Sequence, residues 1–135
     1  MSGKREPITY KGRSVGILAL TVAQLLIGTI HLLIGLGLLA VKASTGEGVL
    51  VYDIYTVFFG GLTILFAGFI WRGQKAGWFG TIAVSLFVIV ADTFALLKWP
   101  TVIGIPSFAA PTEIAYSLVV TAYLFLPHVR RKFLH

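Results

Sequence analysis

The sequence contains no cysteine, and only 12% of its 135 residues are charged. Without cysteine, the chain forms no disulfides, has no thiolate nucleophile and holds no cysteine-ligated metal cluster. Soluble domains carry about 25% charged residues, so this chain is poor in the side chains that keep a protein in water. The low charge and the 57% of hydrophobic residues together predict a membrane protein.

Motifs of several enzyme classes are missing as well. There is no G-x-x-x-x-G-K-[ST] phosphate loop and no H-E-x-x-H metalloprotease motif, and Ser85 and Ser117 stand in no nucleophile motif. Bis-histidine haem binding needs two facing histidines inside the membrane. Only His31 lies within an apolar segment, since His128 and His135 are close to the C-terminus. We therefore expect no catalytic activity and no cofactor.

Four apolar segments approach or exceed the roughly 20 residues that a helix needs to cross a bilayer. They occupy 15–41, 50–71, 77–97 and 111–127. Short connections make sequential helices antiparallel neighbours. The sequence therefore predicts one all-α membrane domain, an antiparallel up-down bundle of four transmembrane helices, with a basic N-terminal segment at 1–14 and a basic tail at 128–135.

Basic residues are distributed unevenly among the connections. Four precede the first predicted helix, two lie between the second and third, and three follow the fourth, which leaves only Lys42 and Lys98 on the other side. The positive-inside rule then places both termini in the cytoplasm, in a protein of the cell membrane. The net charge of +6 thus indicates topology rather than nucleic-acid binding. Arg130, Arg131 and Lys132 are expected to contact anionic lipid headgroups.

Each predicted helix gathers its polar and small residues on one face. These residues recur at alternating spacings of three and four positions, which is the spacing of one helix face. Small residues let membrane helices approach closely, and hydroxyl groups can hydrogen-bond across the contact, so we expect these faces to point inward. The inward faces comprise Thr21, Gln24, Gly28, His31 and Gly35; Asp53, Thr56, Gly60, Thr63 and Ala67; Thr81, Ser85, Val88, Asp92 and Ala95; and Glu113, Ser117, Val120 and Leu124.

Other glycines lie outside the inward faces. Gly61 and Gly68 give the second predicted helix a second small-residue face. This face indicates either another helix neighbour within the bundle or a second chain. Gly73 and Gly77 have the GxxxG spacing, but they fall in a predicted connection, so we expect no helix packing there.

Each inward face carries one ionisable side chain in its outer half. Charged groups inside a bilayer are rare and usually have partners. Counting about 1.5 Å per residue, His31 lies roughly 15 Å below the outer end of its predicted helix and Asp92 about 7 Å. Asp53 and Glu113 are predicted at the wet outer interface. We therefore expect His31 to pair with Asp92 first, or with Gln24.

Three interpretations of these groups are compatible with the sequence. The side chains could simply hold the bundle together, or His31 and Asp92 could line the path of a small oligomeric transporter or channel. The same two residues could also belong to an accessory site for a metal or a lipophilic cofactor. Metal ligands must converge on one ion, and the different predicted depths oppose this arrangement. We therefore predict hydrogen bonds and no bound metal.

Two local patterns carry a resemblance to a family. The last predicted helix ends in Tyr-Leu-x-x-Pro-x-Val-Arg at 123–130, and a turn reads W-R-G-x-x-x-G-W at 71–78. With the four-pass layout, the chain resembles small uncharacterised four-transmembrane-helix membrane proteins of archaea and bacteria. This resemblance implies topology but neither an activity nor catalytic residues. In size, the chain is also similar to small extra subunits of membrane respiratory or monooxygenase complexes.

These observations predict a non-catalytic integral membrane protein, an accessory or assembly subunit of a larger membrane complex. The positive indications are the second small-residue face at Gly61 and Gly68, the long apolar outer connection at 98–112, which is suited to lie against a partner, and the near absence of soluble mass. The expected partners are the lipid bilayer and other membrane subunits, or further copies of the chain, and no nucleic acid is expected. The alternative is the small oligomeric transporter or channel that uses His31 and Asp92.

Overall fold

A computed structural model of the chain describes residues 9–10, 13–48, 51–97 and 109–134, most of which are helical. The helices of this part are α1 (Val15–Thr45), α2 (Val51–Trp71), α3 (Lys75–Leu96), α4 (Ala110–Phe125) and α5 (Pro127–Phe133). Two short antiparallel strands, β1 (Thr9–Tyr10) and β2 (Arg13–Ser14), precede α1. The Ser14 hydroxyl caps α1 by accepting a hydrogen bond from the backbone N–H of Ile17.

Helices α1, α2 and α3 are each long and apolar enough to cross a membrane. A fourth crossing requires counting α4 together with α5, although the two are bent by 77° at their junction. Large apolar side chains cover much of the molecular surface, and Leu33, Phe58 and Val119 are each about two-thirds exposed. A surface of this kind favours lipid over water as its surroundings. Several helices are thus suited to a bilayer, as predicted.

The first three helices have limits close to the predicted ones. Helix α1 continues to Thr45 and ends on Gly46, whose φ of 72° suits glycine. Helix α3 begins at Lys75, two residues before its predicted start at 77. The predictions for the first eight residues and for the long connection at 98–108 fall outside the described residues.

The predicted fourth helix is broken near its end, and proline is the cause. Pro127 has no N–H to donate within a helix, so α4 stops at Phe125 and α5 starts at Pro127. The carbonyl oxygen of Leu124 accepts a hydrogen bond of 2.9 Å from the indole N–H of Trp78. In α5, Val129 and Phe133 are buried against the rest of the molecule. The tail predicted at 128–135 is therefore largely a packed helix.

Helix α1 packs most extensively against α2, and α3 packs against both α2 and α4. The residues of the predicted inward faces lie in these contacts. Their buried polar members are Thr21, Gln24, Asp53, Thr56, Thr63, Thr81, Ser85, Asp92 and Ser117. The three-and-four spacing of polar residues therefore predicted the buried faces correctly, because spacing fixes which side chains share a helix face.

Helices α1 and α2 approach most closely at Gly28 and Gly60. A Cβ atom on Gly60 would lie 2.6 Å from the backbone nitrogen of Leu32, and one on Gly28 would lie 2.9 Å from the carbonyl oxygen of Gly60. Gly35 meets the backbone nitrogen of Val57 at a similar 2.9 Å. Backbone atoms leave no room for a side chain here, which confirms the predicted packing role of these glycines.

Other glycines differ from expectation. Gly77 lies inside α3 because this helix starts early, and a Cβ atom on Gly77 would lie 2.5 Å from the backbone nitrogen of Ile70. The expectation that Gly77 packs against no helix is therefore wrong. Gly61 and Gly68 are exposed, and a Cβ atom on either would meet nothing within 4 Å. Neither glycine packs within the described part of the chain, which disfavours a second neighbour inside the bundle.

An apolar cluster fills the end of the molecule at which α1 begins and α4 ends. Its buried members are Ile17, Leu20, Ile70, Trp78, Ile82, Val120, Leu124, Val129 and Phe133. We call it the apolar end cluster. Polar side chains occupy the interior beyond it, toward the end of α1, and the candidate site lies there.

Candidate functional site

His31, Glu113 and Asp92 form a cluster that joins α1, α4 and α3. The Nε2 atom of His31 lies 2.8 Å from Oε1 of Glu113, and its Nδ1 atom lies 2.8 Å from the carbonyl oxygen of Ile27. Asp92 interacts with the same Glu113 carboxyl group from α3. We call these three side chains the acid–histidine cluster.

Close helix packing holds the imidazole of His31 in place. Gly28 and Gly35 lie one turn away on either side of His31 on the same face of α1, and both touch α2. This contact brings the ring of Phe59 to 4.7 Å from the imidazole, in an edge-on arrangement. The small residues around His31 therefore position a polar side chain as well as pack two helices.

The expectation that His31 pairs with Asp92 or Gln24 is wrong. Glu113 occupies Nε2 of His31, and the amide of Gln24 donates a hydrogen bond of 3.0 Å to the Thr81 hydroxyl. The depth count placed the outer ends of all helices at one level, whereas the first turn of α4 lies beside the middle of α1. Glu113 is therefore mostly enclosed, with 19% of its side chain exposed, rather than at a wet interface.

Asp53 is buried within the protein in the first turn of α2. Only 2% of its side chain is exposed, and its carboxylate accepts a hydrogen bond from the ammonium group of Lys42. Lys42 follows residue 41, where the first helix was predicted to end, and the longer α1 brings it over the start of α2. The ion pair therefore fastens α1 to α2 next to their connection.

The hydrogen bonds of His31 determine where protons reside. The Ile27 carbonyl oxygen can only accept, so Nδ1 of His31 carries a proton. One further proton lies in the hydrogen bond between Nε2 of His31 and the Glu113 carboxyl group, and it is bonded to one of these two groups. The Asp92 carboxyl group interacts electrostatically with that of Glu113, and neither of its oxygens has a hydrogen-bond partner in the described ranges, so an ionised Asp92 is a buried charge beside a second carboxyl group. The cluster thus holds three titratable groups, of which His31 and Glu113 share a proton.

Two cavities lie next to the acid–histidine cluster. The larger, of about 110 Å³, is lined by His31, Glu113 and Tyr116 among others. The smaller, of about 10 Å³, lies deeper, between Gln24 and Thr63, and also reaches Tyr116. The smaller cavity can hold about one water molecule. Polar side chains therefore continue from the cluster into the centre of the molecule.

Several polar atoms along these cavities have no hydrogen-bond partner within the described ranges. They are Oε1 of Gln24, Oγ1 of Thr63 and the hydroxyl of Tyr116. Both oxygens of Asp92 are also buried and have no hydrogen-bond partner in these ranges. Buried polar atoms are costly without hydrogen bonds, particularly in a lipid environment. This interior is therefore chemically suited to water and protons.

Metal binding has little geometric support in the part of the chain that the structure describes. No group of three or more His, Asp or Glu side chains there is arranged to hold a metal ion. His31 and Asp92, the two proposed ligands, each contact Glu113 instead of converging on one point.

Lys42 pairs with Asp53 and Tyr116 lines both cavities, but neither was predicted as a site residue. Lys42 continues the inward face of α1, and Tyr116 follows Glu113 by three positions, so both spacings carried a usable signal. No protein-family model, curated protein or solved structure matches this chain. The site therefore has to be interpreted from its own geometry.

Proposed function

We propose that the chain is a multi-pass integral membrane protein that acts as a non-catalytic accessory or assembly subunit of a larger membrane complex. In this proposal α1 to α4 form an antiparallel up-down bundle of four transmembrane helices, and both termini are cytoplasmic. The successive contacts of α1 with α2, α2 with α3 and α3 with α4 support the bundle. The uneven distribution of basic residues supports the orientation. We call the cytoplasmic side inner and the opposite side outer.

The exposed glycine face of α2 is the observation that carries the proposal. Gly60 presses against α1, whereas its neighbour Gly61 and the more distant Gly68 face open space. Small residues in membrane helices concentrate where helices pack, and these two are not used for packing within the described chain. Phe58 and Leu65 project nearby and offer apolar contacts. We infer that a transmembrane helix of another subunit packs on this face.

Substitution of both exposed glycines by leucine is expected to release the partner subunits. Gly61→Leu and Gly68→Leu add bulk where a second helix would approach, but they meet no atom of the chain itself. The measurement is purification from native membranes in mild detergent, followed by mass spectrometry of the associated proteins and metal analysis of the same sample. Wild-type chain is expected in a heteromeric complex, and the double variant is expected alone and as stable as the wild type.

The matched control is Gly37→Leu. Gly37 is exposed on α1, and a Cβ atom there also meets nothing within 4 Å, so this variant has the same chemical change on a different face. It should retain the partners. Full retention of partners by the Gly61→Leu and Gly68→Leu variant, or purification of the wild type as a homo-oligomer alone, contradicts the proposal.

A small oligomeric transporter or channel is the second candidate function. The acid–histidine cluster favours it, because titratable side chains inside membrane helices commonly mark the paths of ions or protons. Asp92 in particular is fully buried and interacts electrostatically with the Glu113 carboxyl group. A homo-oligomer without other subunits would favour this second function.

A further inference from the structure

The acid–histidine cluster has a geometry that assembly alone does not explain. We propose that His31, Glu113 and Asp92 form an internal proton-binding site that exchanges protons with the outer aqueous side only. The site would give the chain a proton-linked role in addition to assembly. Its orientation depends on the topology proposed above, whereas its existence depends on neither the topology nor a partner subunit.

The hydrogen bonds of the cluster provide the first argument. One proton lies between Nε2 of His31 and Oε1 of Glu113, whose separation is 2.8 Å, and the Asp92 carboxyl group is buried without a hydrogen-bond partner in the described ranges, which makes it a second place for a proton. Uptake of a proton forms one O–H bond on a carboxylate oxygen, and release breaks that bond, so no electron moves. Protons can therefore be taken up and released at these carboxyl groups without rearranging the helices.

The unpartnered polar atoms provide an independent argument. Gln24 and Thr63 are almost completely buried, at 3% and 4% exposure, yet Oε1 and Oγ1 respectively have no hydrogen-bond partner in the described ranges. Both line the deeper cavity, which Tyr116 connects with the cavity beside His31. Polar atoms placed along a cavity can hydrogen-bond water, and water extends a proton path. The polar interior is thus continuous with the cluster.

The outer and inner ends of the molecule differ in the polar groups that could carry a proton. Glu113 lies in the first turn of α4, and the side chains of His31 and Glu113 each remain 19% exposed. The apolar end cluster fills the inner end, where the indole N–H of Trp78 donates to the Leu124 carbonyl and the Thr21 hydroxyl donates to the Ile17 carbonyl. Among the buried polar atoms of the described ranges that have no partner, only the Thr121 hydroxyl lies beside this cluster, and a single hydroxyl provides no continuous proton path. We therefore expect the isolated chain to bind protons from outside and not to carry them across.

Other titratable groups surround the site and contribute to its pH dependence. On α1 and α2 the Lys42–Asp53 ion pair places opposite charges next to each other, which limits its net effect. The tyrosines are neutral over the ordinary pH range. The neighbouring groups on the elements packed around the cluster are Lys42 on α1, Tyr52, Asp53 and Tyr55 on α2, and Tyr116 on α4.

Infrared difference spectroscopy of the full chain in liposomes tests the proposal. A step in outer pH is expected to change the carbonyl stretch of a protonated carboxyl group. We expect Asp92→Asn and Glu113→Gln each to abolish or shift this band. Glu47→Gln is the matched control, because Glu47 is an exposed carboxylate beyond the end of α1, and its spectrum should retain the band.

An unchanged band in both Asp92→Asn and Glu113→Gln would overturn the proposal. If these variants fail to fold, wild-type protein with isotope-labelled aspartate gives the answer without a substitution, because the chain has only two aspartates. The band should then shift with the label. Nitrogen NMR of His31 provides a second measurement, in which Nδ1 is expected to stay protonated over the whole pH range.

The same liposomes separate this proposal from the proposed topology and subunit role. Protease cleavage of a C-terminal tag reports which side the termini occupy, and the pH of each side is stepped in turn. A band that responds only to the pH on the side opposite the tag supports the proposal. A band that follows the pH on the side of the tag, or proton flux through the isolated chain under a membrane potential, overturns the one-sided exchange. Neither measurement involves partner subunits.

Discussion

Replacing Gly60 with alanine is expected to lower the free energy of unfolding by about 1–3 kcal/mol, the usual cost of inserting a methyl group into a tightly packed contact. The new Cβ atom would lie 2.6 Å from the backbone nitrogen of Leu32 and 2.7 Å from the carbonyl oxygen of Gly28. Both neighbours are backbone atoms of α1, so neither can turn aside as a side chain would. The helices must separate. Detergent unfolding followed by circular dichroism measures the loss.

Gly61→Ala is the control for this prediction, since it makes the same change one residue further along α2. Nothing lies within 4 Å of the added methyl group, and alanine gains up to about 1 kcal/mol over glycine in helix propensity. Gly61→Ala is therefore expected to leave the isolated chain as stable as the wild type or slightly more stable. Equal stability of the two alanine variants would mean that α1 and α2 do not meet at Gly60.

The contact at Gly60 also supports the acid–histidine cluster. Gly28 and Gly35 flank His31 on the face of α1 that meets α2, so a wider spacing of these helices moves the imidazole away from Phe59. The hydrogen bond between His31 on α1 and Glu113 on α4 is then expected to weaken, because these helices no longer keep their relative positions. A single small-residue contact thus links the packing of the molecule to its proton chemistry.

Local patterns in the sequence were sufficient to predict the helices and their buried faces. The helix period depends on neighbouring residues alone, so the polar positions of α3 from Thr81 to Asp92 could be assigned to one face without knowledge of the other helices. Close packing at Gly28, Gly35 and Gly60 followed from the same period. Such features require no information about how far one helix is displaced along another.

The partners within the site depend on that displacement, and the sequence does not encode it locally. Glu113 reaches His31 because α4 begins beside the middle of α1, whereas a count from the helix ends places it near the surface. Lys42 reaches Asp53 because α1 runs past 41. Errors of a few residues in helix ends therefore change which ionisable groups meet, although they leave each group on the correct face.

Replacing Lys42 with methionine is expected to lower the free energy of unfolding by about 3–5 kcal/mol, which is typical when one member of a buried ion pair is removed. The side chains of Lys42 and Asp53 are only 13% and 2% exposed, so solvent screens the interaction weakly. Methionine keeps the length and apolar stem of lysine but removes the ammonium group from a buried carboxylate. Detergent unfolding at neutral pH measures the effect.

Two comparisons assign this loss to the ion pair. Lys75→Met makes the same change at an exposed position in the first turn of α3 and should alter the free energy of unfolding by less than about 0.5 kcal/mol. The double variant Lys42→Met and Asp53→Leu removes both charges and should recover most of the loss, because apolar pairs commonly replace buried ion pairs without penalty. If the double variant is as unstable as Lys42→Met alone, the lysine contributes through packing, and the charge of Asp53 is not what destabilises the single variant.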